Sequence, residues 1–119
     1  MAGANLTLNA SETIGSLAGV AGTTVTLGAN TLTAGGNNTT TTYTGVIGGT
    51  GGLTKAGTGT MTLSGANTYT GATNIAAGTL ALGAANERIA NTSAVTVAGG
   101  ATFDLVTLSE TIGSLSGAG

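Results

Sequence analysis

Six charged residues are the strongest candidates for chemistry in this chain of 119 residues, which has no histidine and no cysteine. They are Glu12, Lys55, Glu87, Arg88, Asp104 and Glu110. The lack of His removes the commonest general base and metal ligand, and the lack of Cys removes disulfides and thiolate metal sites. A catalytic or metal site would have to be built from four carboxylates and two cations.

Paired carboxylates could cleave a glycosidic bond if their carboxyl groups lay about 5 to 10 Å apart. Glu12 and Glu110 occupy equivalent positions of a repeat, 98 residues apart. In a fold of strands stacked about 4.8 Å apart, that offset predicts a separation of more than about 20 Å. Asp104 alternates with Phe103 and Leu105, which predicts that it faces solvent. We therefore expect no catalytic residues and no enzyme.

The glycine-rich run GVIGGTGGLTKAGTG, residues 45–59, superficially resembles a phosphate-binding loop. Such a loop needs Gly-Lys followed by Ser or Thr at the start of a helix. Lys55 instead follows Thr54 and precedes Ala56. A calcium-binding solenoid would need aspartate beside the glycines, and GGTGG has none nearby. We interpret the run as a turn-rich corner with Lys55 on the surface, and expect no cofactor and no metal.

Charge and hydropathy exclude further classes of protein. Two cations cannot form a surface that follows a phosphate backbone, so nucleic acid is not an expected partner. No apolar run approaches the roughly 20 residues of a membrane span. The opening MAGANLTLNAS lacks the basic and apolar regions of a secretory signal. If the parent protein is exported, we expect this chain to be an excerpt of it.

The composition favours stacked β-structure. Charged residues are 5% and aromatic residues 3% of the chain, which contains 23 glycines and no proline. Threonine favours strands, and without proline every backbone N–H can join a ladder. Glycine in nearly every ten-residue window opposes helix by about 1 kcal/mol each. We interpret residues 83–94, GAANERIANTSA, as a loop or short turn that leaves a coil.

A nine-residue segment occurs twice. Residues 11–19 read SETIGSLAG and residues 109–117 read SETIGSLSG, with one difference and an offset of 98 residues. The pattern indicates a segment of a tandem array. We therefore predict one β-solenoid segment over residues 1–119, made of about one 98-residue repeat and an overlapping coil.

A shorter period lies inside this repeat. The strings TVTLGANTLT, TMTLSGANTYT and TLALGAAN begin at residues 24, 60 and 79, which suggests a step of about 18 to 19 residues. Large apolar residues follow the same step, with a second set two positions later. The first set is Leu6, Val25, Tyr43, Met61, Leu80 and Val97, and the second is Leu8, Leu27, Leu63 and Leu82. We predict about six coils of 18–22 residues, with Leu53, Met61, Leu63, Leu80 and Leu82 as interior rungs.

Residues 51–82, GGLTKAGTGTMTLSGANTYTGATNIAAGTLAL, resemble the autotransporter-associated β-strand repeat, also called the passenger-associated transport repeat. The resemblance runs through GGLTK, GTGTMTLSGANTYTG and AGTLAL in the family's order and spacing. It implies an all-β fold, a right-handed parallel β-helix, in the extracellular passenger of a Gram-negative autotransporter. It also implies a structural stalk at the bacterial cell surface that assists secretion by folding coil by coil.

The resemblance also implies partners. They are neighbouring repeats of the same chain and, elsewhere in the parent protein, a C-terminal outer-membrane β-barrel whose sequence pattern these 119 residues do not show. The task of the parent passenger, such as adhesion, aggregation or display, is left open.

Two alternatives remain beside the stalk. Because both end coils carry the SETIGSL sequence, the segment could associate head to tail into filaments. Outward Thr-x-Thr pairs could form an ice-binding array, although threonine is also an ordinary outward residue on strands. The pairs are Thr24 and Thr26, Thr31 and Thr33, Thr40 and Thr42, and Thr60 and Thr62.

Overall fold

The computed structural model describes residues 4–85 and 88–119, which form thirteen β-strands and no helix. The strands are β1 (Asn5–Thr7), β2 (Glu12–Ile14), β3 (Thr24–Thr26), β4 (Thr31–Ala34), β5 (Thr41–Tyr43), β6 (Val46–Gly48), β7 (Gly52–Lys55), β8 (Thr60–Leu63), β9 (Thr73–Ile75), β10 (Thr79–Leu82), β11 (Ala94–Val97), β12 (Thr102–Asp104) and β13 (Ser114–Gly117).

The strands form three sheets in which every pairing is parallel. A three-stranded sheet has the order β1-β3-β6, a four-stranded sheet β5-β8-β10-β12, and a six-stranded sheet β2-β4-β7-β9-β11-β13. The chain visits the sheets in rotation, so each strand pairs with strands about one turn earlier and later. The result is a β-solenoid of about six turns, which confirms the predicted all-β parallel architecture.

The length of a turn varies with the corners. Paired residues one turn apart are separated by 19 residues from Leu6 to Val25 and by 23 from Leu80 to Phe103. The prediction that one apolar series follows a single step was wrong, because Tyr43 pairs with Leu63 in a different sheet from Leu6 and Val25. Each turn contains up to three strands of similar sequence, and a period alone does not distinguish their faces.

The interior is a set of side-chain columns that run along the solenoid. The predicted rungs Leu53, Met61, Leu63, Leu80 and Leu82 are all buried, which confirms their orientation. The alternation of buried and exposed positions within each strand creates these columns, because successive side chains point to opposite faces. Burial of their apolar surface holds neighbouring turns together.

Glycines form one edge of the solenoid, as predicted for the corners. Gly35, Gly57, Gly78 and Gly100 follow successive strands of the six-stranded sheet, and all have positive φ. At Gly57, φ is 71° and a Cβ atom would lie 2.0 Å from the carbonyl oxygen of Gly35. Only glycine fits this corner, because it avoids both the backbone strain and the collision with the preceding turn.

Residues 83–93 connect β10 to β11 and contain no helix where they are described, in agreement with the loop predicted over 83–94, whose last residue begins β11. Asn86 and Glu87 lie outside the described residues. Ile89 in this loop is buried, so the segment returns to the core before β11 begins.

Candidate functional site

Lys55 lies inside the solenoid, so its predicted surface position was wrong. Only 1% of its surface is exposed. Leu53, Thr54 and Lys55 alternate inward, outward and inward along β7, and Lys55 takes the place between Ala34 and Ile75 in an interior column. The alternation of the strand, applied from Leu53, would have predicted this orientation.

The Lys55 ammonium group is held by backbone carbonyls rather than by a carboxylate. Its Nζ atom donates hydrogen bonds to the carbonyl oxygens of Ala56 and, at 3.1 Å, of Gly57. Burial lowers the pKa of Lys55 below its ordinary value, because desolvation disfavours the charged form. These hydrogen bonds tie the end of β7 to the corner that follows it, and Lys55 lines none of the cavities beside the end turns.

A second buried polar group is a chain of hydroxyls centred on Tyr69. The Tyr69 hydroxyl lies 2.7 Å from Oγ1 of Thr73, which lies 2.9 Å from Oγ of Ser93. Ser93 donates onward to the carbonyl oxygen of Gly71 at 2.8 Å. Burial raises the pKa of the Tyr69 hydroxyl above its ordinary value. This network was not predicted from the sequence. The one indication of it is that Thr73 lies two residues before Ile75 on β9, so that both side chains point inward.

Asparagine side chains join neighbouring turns at two places. Asn67 accepts a hydrogen bond from the Ile47 backbone N–H at 2.9 Å and donates from Nδ2 to the Arg88 carbonyl at 3.0 Å. Asn30 donates from Nδ2 to the carbonyl oxygen of Leu8 at 3.2 Å. Both asparagines belong to the repeated sequence Gly-Ala-Asn-Thr. The repetition of this sequence could have indicated that its asparagines connect neighbouring turns.

The outward face of the six-stranded sheet carries one column of short polar side chains. Its members in consecutive turns are Thr13, Thr33, Thr54, Asn74, Thr96 and Ser116. The adjacent outward column includes Gly52 and Ala94 and so lacks a regular hydroxyl series. The four predicted Thr-x-Thr pairs are spread over all three sheets, with only the last two on the same sheet, so they do not make one flat array.

The carboxylates lie in separate surroundings. Asp104 is exposed, as predicted, and accepts a hydrogen bond from the Val106 N–H at 2.8 Å. Glu110 accepts from two consecutive backbone N–H groups of the preceding turn, Arg88 at 2.7 Å and Ile89 at 2.8 Å. Glu12 lies in β2, in the first turn. The structure therefore separates Glu12 and Glu110 by five turns and gives them different roles.

Cavities lie beside the first and last described turns, and two of them are lined mainly by apolar side chains. One of about 630 Å³ is lined by residues that include Phe103, Leu105, Glu110 and Leu115. The other, of about 280 Å³, is lined by residues that include Leu6 and Tyr43. The Tyr43 hydroxyl is buried and has no hydrogen-bond partner among the described residues. Both cavities are therefore predominantly apolar spaces next to uncovered strand edges.

Within residues 4–85 and 88–119, no three acidic side chains come together to hold a metal ion. No helix in the same ranges is long and apolar enough to cross a membrane.

These features define a parallel β-solenoid repeat segment, in which Asn30, Asn67, Ser93 and Glu110 bind neighbouring turns. Residues 53–82, which span β7 to β10, match the family model of the passenger-associated-transport-repeat. This match confirms the predicted resemblance of the segment to the passenger-associated transport repeat. Comparisons with curated proteins and with solved structures gave no match.

Proposed function

We propose that the chain is a non-catalytic structural segment of an autotransporter passenger, which forms part of an extracellular β-helical stalk. The observation that carries this proposal is the passenger-associated transport repeat at residues 53–82. Its strands are covered on both sides by neighbouring turns: β7 pairs with β4 and β9, and β8 pairs with β5 and β10. A passenger with this function lies outside the outer membrane, at the cell surface.

We further propose that the segment assists secretion by folding turn by turn. Each turn presents a complete row of backbone N–H and C=O groups to the next, so a newly exported turn can pair with the one before it. Asn67 adds a side-chain link of the same kind between Ile47 and Arg88. Folding outside the cell would then oppose backward movement of the chain.

The test compares two adjacent substitutions in β9 of the parent passenger. Ile75→Asp places a carboxylate in the interior, whereas Asn74→Asp adds the same charge on the exposed face. Surface exposure is followed by protease accessibility after induction. We expect slower export for Ile75→Asp and unchanged export for Asn74→Asp. Equal export rates for the two variants would contradict the folding-assisted mechanism.

End-to-end self-association is a second candidate function. The outer edges of β2 and β13 have no strand partner among the described residues. Leu6 is 41% exposed and Leu115 67% exposed beside the cavities of the first and last turns. A second copy of the chain that continues the parallel ladders would cover these groups. Sedimentation over a concentration series tests this candidate, and a single monomeric species throughout would contradict it.

A further inference from the structure

The two copies of the repeated segment occupy different faces of the solenoid. In the first copy, residues 11–19, Glu12 belongs to β2 of the six-stranded sheet. In the second copy, residues 109–117, that sheet is joined by Ser114–Gly117 instead. Along the sheet, the residue five turns after Thr13 is Ser116, 103 residues later, whereas the sequence repeats after 98. The second copy is therefore shifted by five residues relative to the sheet, so its residues lie on a different face of the solenoid from the same residues of the first copy.

This displacement brings Glu110 over the backbone of residues 88–89, which we call the 88–89 turn. Its two carboxylate oxygens accept one hydrogen bond each, from Arg88 N at 2.7 Å and Ile89 N at 2.8 Å. Hydrogen bonds to an ionised acceptor are stronger than neutral ones, and two adjacent donors fix the direction of the carboxylate. The second copy thus shows how this sequence binds a preceding turn.

Glu12 is the same residue of the same motif, but its carboxylate has no hydrogen bond or ion pair among the described contacts. The backbone of Glu12 pairs with that of buried Leu32, so Glu12 lies on the inward side of β2, but it is exposed because the first turn leaves this end of the interior open. There it lines a cavity of about 330 Å³ together with Leu6, Leu8 and Ile14. A second chain stacked over this space would bury an unpaired carboxylate unless it supplied donors.

We propose that the SETIGSL glutamate is a docking anchor for a pair of backbone N–H groups, and that Glu12 binds the 88–89 turn of a second copy of this chain. This inference rests on the end-to-end association proposed above and identifies its contact. Glu12 of one copy and Glu110 of the other compete for the same donors.

The second copy of the segment can be exchanged because it belongs to the last turn, and its outer edge has no strand partner among the described residues. Every residue of β13 is exposed, including Leu115 at 67%. When residues 109–117 leave the 88–89 turn, residues 11–19 of another chain present the same side chains. The incoming solenoid is rotated by one sheet, which places its β2 on the face where Asn67 already links Ile47 to Arg88. Parallel strands then continue across the junction.

The experiment uses the complete 119-residue chain with Glu12→Gln, Glu110→Gln and, as a matched control, Asp104→Asn. Each substitution removes one negative charge. Glutamine can accept only one of the two hydrogen bonds, because its amide nitrogen is a donor. Asp104 is exposed and bonds only locally to Val106. Sedimentation equilibrium measures the association constant of each variant.

We expect opposite effects from the two glutamates. Glu110→Gln frees the 88–89 turn and should raise the association constant about tenfold, whereas Glu12→Gln should lower it about tenfold. Asp104→Asn should match the unchanged chain. Association that is equal for Glu12→Gln and Asp104→Asn would overturn the anchor while leaving end-to-end association intact. Monomers in every variant would overturn both, without bearing on the stalk.

Hydrogen exchange gives a second readout. Isotope-labelled chains that carry both Glu12→Gln and Glu110→Gln are mixed with unlabelled chains that carry Glu110→Gln, either alone or together with Glu12→Gln. Protection of the labelled Arg88 and Ile89 amides should rise only with the partner that retains Glu12. Equal protection with both partners would contradict the assigned contact even if the chains associate.

Discussion

The Nζ atom of Lys55 donates a 3.1 Å hydrogen bond to the carbonyl oxygen of Gly57 within the solenoid interior. The contact places a cation in a column whose neighbours in β4 and β9 are Ala34 and Ile75. An apolar column tolerates this side chain because its long stem packs as a hydrocarbon while its head reaches the glycine corner. Stability should therefore depend on Lys55 through both its volume and its charge.

Lys55→Ala should lower the free energy of unfolding by about 2 kcal/mol, because it leaves a cavity in a packed interior. Lys55→Met keeps most of the volume and removes the desolvated charge, so it should equal or exceed the stability of the unchanged chain at about pH 7. Urea unfolding measures both. A loss from Lys55→Met as large as that from Lys55→Ala would show that the hydrogen bonds to the carbonyls dominate.

Alkaline pH should first stabilise the protein through Lys55. The pKa of Lys55 in the folded chain is below the unfolded value of 10.5, so the unfolded state binds more protons between these values. Stability therefore rises with pH across that window and levels off above 10.5. Unfolding measured from about pH 7 to 10.5 should show this rise, and Lys55→Met should remove it. If stability still rises with pH in Lys55→Met, the rise comes from the titration of another group.

Tyr69 should act in the opposite direction at higher pH. Its pKa is raised in the folded chain from an ordinary 10.0, so the unfolded state loses the proton first. The contribution is fully present below pH 10.0 and declines as the pH rises above it. Tyr69→Phe should flatten this decline and reduce stability at neutral pH by about 1 kcal/mol through the lost bond to Thr73. An unchanged decline in Tyr69→Phe would contradict the assignment.

Substitutions at two corner glycines distinguish the cost of backbone strain from the cost of a steric collision. Gly57→Ala should destabilise by about 3 kcal/mol or more, because φ is 71° and the new Cβ would lie 2.0 Å from the Gly35 carbonyl oxygen. Gly100→Ala has a similar φ of 83° with nothing within 4 Å, so only the strain of about 1 kcal/mol applies. Thermal unfolding of both variants measures the difference. Equal losses of stability in the two variants would mean that the corners at Gly35 and Gly57 can move apart and so avoid the collision.

Interior charge should be far more damaging than outward charge. Leu63→Asp or Leu82→Asp buries an unpaired carboxylate in the four-stranded sheet and should unfold the segment. Thr42→Asp adds the same charge at an exposed position of that sheet and should change stability by about 0.5 kcal/mol or less. Circular dichroism and urea titration distinguish the two classes. Similar losses for Thr42→Asp and Leu63→Asp would refute the assigned orientations.

The spacing of Thr, Gly and single large apolar residues was sufficient to predict strands, glycine corners and rungs such as Leu53 and Leu82. These features are local, since alternation along a strand and the φ of a turn depend on a few neighbouring residues. The similarity to the passenger-associated transport repeat was also readable at this level, because the motif at 51–82 is contiguous. The Lys55 orientation was available from the same alternation but conflicted with the expectation that charges face solvent.

Residue pairing across turns was not accessible in the same way. Strings that look equivalent, such as those at Thr24 and Thr60, lie in different sheets, because corner lengths determine which face a strand reaches. The two SETIGSL copies differ for the same reason: Glu110 meets the Arg88 and Ile89 amides, while Glu12 lies five turns away in a sheet strand. A local pattern specifies that a strand forms. Its partners depend on the summed length of the chain between them.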